Sequence, residues 1–169
     1  MLTGITGTPG TGKTSVAAEL RRRGIPVLDL KTTVAPYVLE HDDAAGADVV
    51  DVDAWAAANA GLDGVVEGAF AHYLACDKII VLRCRPDVLE ERLAPRGYSA
   101  EKIRENAESE ALDGILIETA DAYADEQIYE IDTTMKDVST IAGEIEAFMA
   151  GRAAASFGSL DWSEYVMSL

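Results

Sequence analysis

The chain has 169 residues, suited to one domain with a single substantial core, and its 30 acidic against 14 basic residues give a net charge of −16. Such a surface excludes broad affinity for nucleic-acid phosphates, which needs paired cations, and it resists aggregation in concentrated salt. The charge points to a host with a salt-rich cytoplasm; the alternative is a basic partner.

Met1–Thr6 is short and apolar enough for a buried parallel strand. Residues 7–14 then read Gly7-Thr8-Pro9-Gly10-Thr11-Gly12-Lys13-Thr14, the pattern G-x-x-x-x-G-K-[ST] between a strand and a helix. Glycines at 7, 10 and 12 let the backbone curl until consecutive N–H groups converge on phosphate oxygens at the positive end of a helix dipole. Gly10, Gly12, Lys13, Thr14 and Ser15 are the expected contacts to a nucleoside triphosphate. Lys13 would bridge its β- and γ-phosphates, and the Thr14 hydroxyl would ligate the Mg²⁺ that accompanies ATP. The helix continues to about Arg23, where Gly24 ends it behind three arginines that suit the dipole.

Residues 25–29 form a second strand. From Leu30 to Asp53 the pattern breaks: a short helix around Thr33–Glu40, an acidic, glycine-containing stretch, then Asp48–Val52, together an insert rather than core. A helix near 54–60 precedes a third strand, Gly64–Gly68, and the apolar run 78–82 is the clearest buried strand. Pro86 opens a helix ending near Leu93. After the interruption at 95–99, apolar residues at Ile103, Ala107, Ala111 and Ile115 predict one long helix from Ala100 to about Tyr123. Residues 127–132 make a fifth strand and 138–149 a last helix. Alternating strands and helices predict an α/β fold with a five-stranded, doubly wound parallel sheet. No apolar run is long enough to cross a bilayer and no leader precedes the first strand, so a cytoplasmic location is expected.

Glu67, closing the third strand, is the candidate to hold a Mg²⁺-bound water or to orient the attacking group; an ordinary strand-end carboxylate is the alternative. Phosphoryl transfer also needs cations on the moving group. Arg92 and Arg96, four apart around Pro95, are the candidates, and Arg83 at the end of the fourth strand points toward the same edge. The insert offers Lys31 but no arginine for a phosphate acceptor, so Lys31 or Arg83 would have to serve. Cys76 and Cys84 lack metal-ligand spacing and suit small buried hydrophobes.

These motifs resemble the small adenylate kinase family shared by archaea and eukaryotic nuclei, also known as a ribosome-assembly ATPase. The resemblance spans residues 1–150 and rests on the loop at 7–14, on Val81-Leu82-Arg83, on Leu89-Glu90-Glu91-Arg92-Leu93, and on Arg96-Gly97-Tyr98 followed by Lys102-Ile103-x-Glu105-Asn106. Asp161-Trp162-Ser163-Glu164 is similar to archaeal members. It implies a phosphate-loop NTPase core over 1–150 of the nucleoside monophosphate kinase type, an acceptor-binding insert at 30–53, a lid at 95–105 carrying Arg96 to ATP, and a tail at 151–169. It further implies transfer from ATP to AMP or a related monophosphate, slow ATP hydrolysis, and a basic ribosomal protein of the small-subunit platform as partner. One departure concerns hydrolysis. Family members often carry histidine at the position of Ala69, and His72, three residues on, is the substitute to consider.

Overall fold

The computed structural model describes residues 1–42 and 47–168. Its strands are β1 (Leu2–Thr6), β2 (Val27–Asp29), β3 (Val38–Asp42), β4 (Ala47–Val50), β5 (Gly64–Glu67), β6 (Lys78–Arg83) and β7 (Ile128–Asp132). Five of them build one wholly parallel sheet in the order β2-β5-β1-β6-β7, while β3 and β4 pair antiparallel away from it. The chain leaves β1 toward β2 on one side and later fills β6 and β7 on the other. A crevice therefore opens beyond the carboxyl end of β1, between β5 and β6, where open α/β sheets bind ligands.

Alternate side chains on a strand face opposite ways, and here both faces are covered. Ile80 and Leu82 of β6 pack with Val16 and Leu20 of helix α1 (Lys13–Arg22) and with Ile141, Ile145 and Phe148 of α7 (Val138–Met149). Their neighbours Ile79 and Val81 turn to the other face, joining Trp55 of α3 (Val52–Ala58) and Leu116 of α6 (Gly114–Ala122). Each such fully buried aliphatic side chain stabilises the fold by about 1.5–3 kcal/mol. The sheet is doubly wound, as the sequence pattern predicts.

Two expectations change. The helix expected at Thr33–Glu40 is one turn, α2 (Lys31–Val34), then a 3₁₀ turn, Ala35–Tyr37, and residues 38–40 are strand. Pro36 has no N–H to continue a helix, and Val38 swings to extended backbone to pair with Val50. Of the acidic stretch before Asp48, residues 43–46 lie outside the described residues. The long helix expected at 100–123 is two, α5 (Ala100–Ala111) and α6, hinged at Asp113, whose φ of 58° is left-handed. Aspartate tolerates that conformation, and the Asp113 carboxylate is claimed there by Arg83.

The tail does not drift. Ser156 bridges Tyr129 of β7, Gly158 N donates to Glu130 at 2.8 Å, and Trp162 lies over Arg83 with the guanidinium 4.7 Å from its ring centre. Tyr165 of α8 (Ser163–Met167) donates to Glu90 of α4 (Pro86–Leu93) at 2.7 Å. No helix among the described residues is long and apolar enough to cross a membrane.

Candidate active site

The loop at 7–14 runs from the end of β1 straight into α1, whose first turn carries no acidic residue to blunt its dipole. Gly10 and Gly12 have φ of 92° and 105°, and at Gly10 a Cβ would also sit 2.8 Å from Leu89 on α4. The loop needs glycine at 12 for its backbone turn alone and at 10 for packing as well. Lys13 Nζ donates back to the carbonyls of Gly7 at 2.6 Å and Thr8 at 3.1 Å. Burial pulls its ammonium down to about 8, against the opposing attraction of Glu67.

Glu67 stands at the end of β5, registered with Ile5 of β1 and Asp29 of β2, and is 3% exposed. Among the described residues nothing donates a hydrogen bond to its carboxylate. Burial, reinforced by Asp29, raises its pKa, while Lys13 and Lys31 pull the other way. A buried carboxylate, unpartnered among the described residues, and a threonine hydroxyl lining the same cavity are hard-oxygen donors of the kind magnesium takes; Thr14 and Glu67 therefore fit the ion that ATP carries.

Three cavities meet at the loop. The middle one, about 150 Å³, is bounded by Gly10, Gly12, Lys13, Thr14, Ser15, Lys31, Glu67, Ala69, Arg96 and Tyr98. It shares Gly10, Gly12, Ser15 and Arg96 with a cavity of about 310 Å³ on the α7 side, which also holds Arg92, Thr133 and Lys136. It shares Lys31, Ala69 and Tyr98 with a cavity of about 590 Å³ on the β3–β4 side, walled by Leu30, Val34, Val38 and Phe70 and edged by Asp48, Lys102 and Asn106. The structure thus brings Gly10, Gly12, Lys13, Thr14, Ser15, Glu67 and Arg96 around one space, with Arg92 next door.

Arg92 is tied to backbone, donating to Thr133 O at 2.8 Å and Gly10 O at 3.5 Å. Arg83 does not face the ligand edge. It is 1% exposed, pairs with Glu110 at 2.8 Å, Glu130 at 2.6 Å and Asp113, and is covered by Trp162. It therefore cannot serve an acceptor. His72 also turns away from the loop: its Nδ1 meets Thr6 Oγ1 at 3.0 Å and its Nε2 meets Glu118 at 2.8 Å. Burial lowers the His72 pKa, and its ring is no substitute for a side chain at position 69. Both cysteines are buried, their thiols pushed up to about 11 by burial.

Sequence reasoning missed Glu110. Oε2 of this buried residue accepts from Thr8 Oγ1 at 2.5 Å, inside the phosphate loop. The available signal was its position next to Ala107 and Ala111 on the apolar face of α5.

Comparison with known proteins agrees with the geometry. The family model described as "AAA domain" matches residues 4–113. A protein of Natronomonas pharaonis named "Putative adenylate kinase" is 42% identical, covering 98% of this chain and 100% of its own length. One of the same name from Archaeoglobus fulgidus is 43% identical over 96% of this chain and 92% of itself. Among solved structures, the YorR protein of Bacillus subtilis in complex with phosphorylated GDP superposes with a TM-score of 0.61 at 17% identity, covering 89% of this chain and 96% of that one. A gluconokinase from Sinorhizobium meliloti gives 0.57 at 18%, covering 99% and 97%; both likenesses are of fold. The chain belongs to the AAA-domain family and to the archaeal group named putative adenylate kinases, and it is an ATP-dependent phosphotransferase.

Proposed function

We propose that the protein transfers the γ-phosphoryl of Mg·ATP to AMP or a related nucleoside monophosphate. The observation that carries this reading is the adjacency of the three cavities: one small cationic space shares wall residues with a larger cavity on either side. A hydrolase needs room for one nucleotide and a water, whereas two flanking cavities suit a donor and an acceptor. We assign the α7-side cavity to ATP, the β3–β4 side to the acceptor within an insert at 30–53, and the segment 95–105 to a lid.

In this reading the loop N–H groups and Lys13 bind the β- and γ-phosphates, and Thr14 with Glu67 holds Mg²⁺, Glu67 through water. The ion supplies neutralisation of charge on the β- and γ-oxygens. An acceptor phosphate oxygen attacks Pγ in line, the bond from Pγ to the β,γ-bridging oxygen breaks, and ADP leaves. That oxygen is already ionised near pH 7, so no general base is required. Arg96 neutralises charge on the moving group, and Arg92 holds the donor-side floor at Gly10 and Thr133. Lys31, with Lys102 and Asn106, takes the acceptor in place of the arginines the insert lacks.

Slow ATP hydrolysis, a basic small-subunit ribosomal protein as partner, a role in maturing that subunit and a salt-rich cytoplasmic setting belong to the same proposal. The net charge of −16 supports both the basic partner and the salty setting. The test is ADP formation from Mg·ATP with and without each monophosphate, in molar KCl and in dilute buffer. Strong stimulation by AMP is expected. A slow rate indifferent to every monophosphate would overturn the kinase reading in favour of an assembly ATPase, and stimulation only by a small non-nucleotide metabolite would redefine the acceptor.

A further inference from the structure

One buried carboxylate joins the phosphate loop to a helix outside the loop's own motif. Glu110 of α5 is 2% exposed, and its two oxygens divide their work. Oε1 accepts from Arg83 Nε at 2.8 Å and Cys84 N at 2.9 Å. Among the described residues Oε2 accepts from Thr8 alone, at 2.5 Å, a short O–H···O⁻ bond of the strong, charge-assisted kind. Arg83 has Glu130 and Asp113 as well, so its charge does not depend on that second oxygen.

Thr8 is a junction of the loop. Its side chain is 2% exposed, and its carbonyl accepts from Lys13 Nζ at 3.1 Å, Thr11 Oγ1 at 2.8 Å and Thr11 N at 3.2 Å. Whatever fixes Thr8 fixes the groups that rest on it. Asn106, one helical turn before Glu110 on the same face, and Lys102, a turn earlier, border the β3–β4-side cavity. A single rigid helix thus touches that cavity at one end and the phosphate loop at the other.

We propose that Glu110 is a positioning residue: it sets the phosphate loop against α5 through Thr8, and so couples occupation of the β3–β4-side cavity to affinity for ATP. The coupling rests on the acceptor assignment above; the setting of the loop does not. Coupling of this kind is reciprocal, each ligand tightening the other by the same factor.

The test is calorimetric titration with Mg·ATP, with and without AMP, alongside thermal melting. Thr8→Val removes the hydroxyl at nearly constant volume and leaves the Glu110–Arg83 pair in place. Its expected ATP Kd is about tenfold weaker, the order of one lost charge-assisted bond, and any tightening by AMP in the wild type is lost. Glu110→Gln can still accept from Arg83 and Cys84 and donate to Thr8, so it retains ATP affinity within about twofold. Glu110→Leu weakens ATP binding as Thr8→Val does, and the double variant adds nothing further. Wild-type ATP affinity in Thr8→Val overturns the proposal, as do effects of the two substitutions that multiply. AMP tightening that survives undiminished in Thr8→Val overturns the coupling. Absence of any AMP effect in the wild type, with ATP binding still weakened in Thr8→Val, sinks the acceptor reading while leaving the loop-setting role supported.

Discussion

Arg83 and Arg96 flank α4, one before it and one after, and their surroundings are opposite. Arg83 is enclosed, with Glu110, Glu130 and Asp113 around its guanidinium and Trp162 over it. Arg96 is exposed, and among the described residues no carboxylate pairs with it or with Lys31, its neighbour across the loop cavity. Both border the cavity at the phosphate loop, where an anionic ligand would supply the missing counter-charge. The contrast separates a cation that belongs to the fold from cations held ready for an anionic ligand.

The largest effect that sharpens this contrast belongs to Lys13, the most enclosed of the ligand-facing cations. Lys13→Ala should lower ADP formation about 10³-fold or more, because its charge is needed where charge develops, with no fall in the melting temperature of the nucleotide-free protein, since a buried ammonium is removed. Unchanged turnover would break the assignment of the loop. The two arginines should then divide cleanly. Arg96→Ala should lower kcat about 10²–10³-fold and leave melting unchanged. Arg83→Ala should cost about 3–5 kcal/mol of stability by stranding buried carboxylates, with kcat per folded molecule far less affected than in Arg96→Ala. Urea unfolding beside initial rates reads both quantities. A stability loss in Arg96→Ala, or a kcat collapse in stably folded Arg83→Ala, would erase the distinction.

The same contrast explains what could be read from the sequence. The sheet and its two covered faces were legible, because runs such as 78–82 and the loop at 7–14 carry their structure in consecutive residues. The fate of Arg83 was not: its partners lie 27, 30 and 47 residues away. The break at Asp113 was hidden for a related reason. Apolar spacing from Ile103 to Ile115 runs through it without a proline, and the helix stops where Asp113 meets a guanidinium from another element. Glu110 borders the apolar stripe of Ala107 and Ala111, but its partners Thr8 and Arg83 lie 102 and 27 residues away, and only the packing of α5 against the loop reveals them. At Thr33–Glu40 the proline was visible, but the pairing of Val38 with Val50 was not.

Glu67 tests the other side of the comparison, an anion without a hydrogen-bond donor among the described residues. Glu67→Gln should reduce Mg²⁺-dependent turnover about 10–100-fold, as for a group that acts on a metal through its water. Stability should move the opposite way. Burial raises the pKa of this carboxylate, so removing the charge should raise the melting temperature of the nucleotide-free protein by about 2–4 °C for each kcal/mol recovered. Mg·ATP should narrow or reverse that order by stabilising the wild type more than the variant. A drop in melting temperature without nucleotide would mean that Glu67 has a structural partner after all.

The most gradual effect, at most about tenfold for each pH unit, is a pH dependence whose sign follows from Lys13. Burial lowers its folded pKa to about 8 from an ordinary 10.5. Between those values the unfolded chain binds the proton more firmly than the folded one, so this residue's contribution to stability rises with pH across the window. ATP binding should run the other way. Phosphate favours the ammonium, and above pH 8 the free loop has to recover a proton first, so the Kd should weaken toward tenfold per pH unit. The two slopes share one cause and should vanish together in Lys13→Met, which leaves any background titration visible. An ATP Kd that stays flat from pH 8 to 10 would mean that Lys13 keeps its proton in the free loop. Solvent would then reach the ammonium, and the enclosed character that sets it apart from Arg96 would be lost.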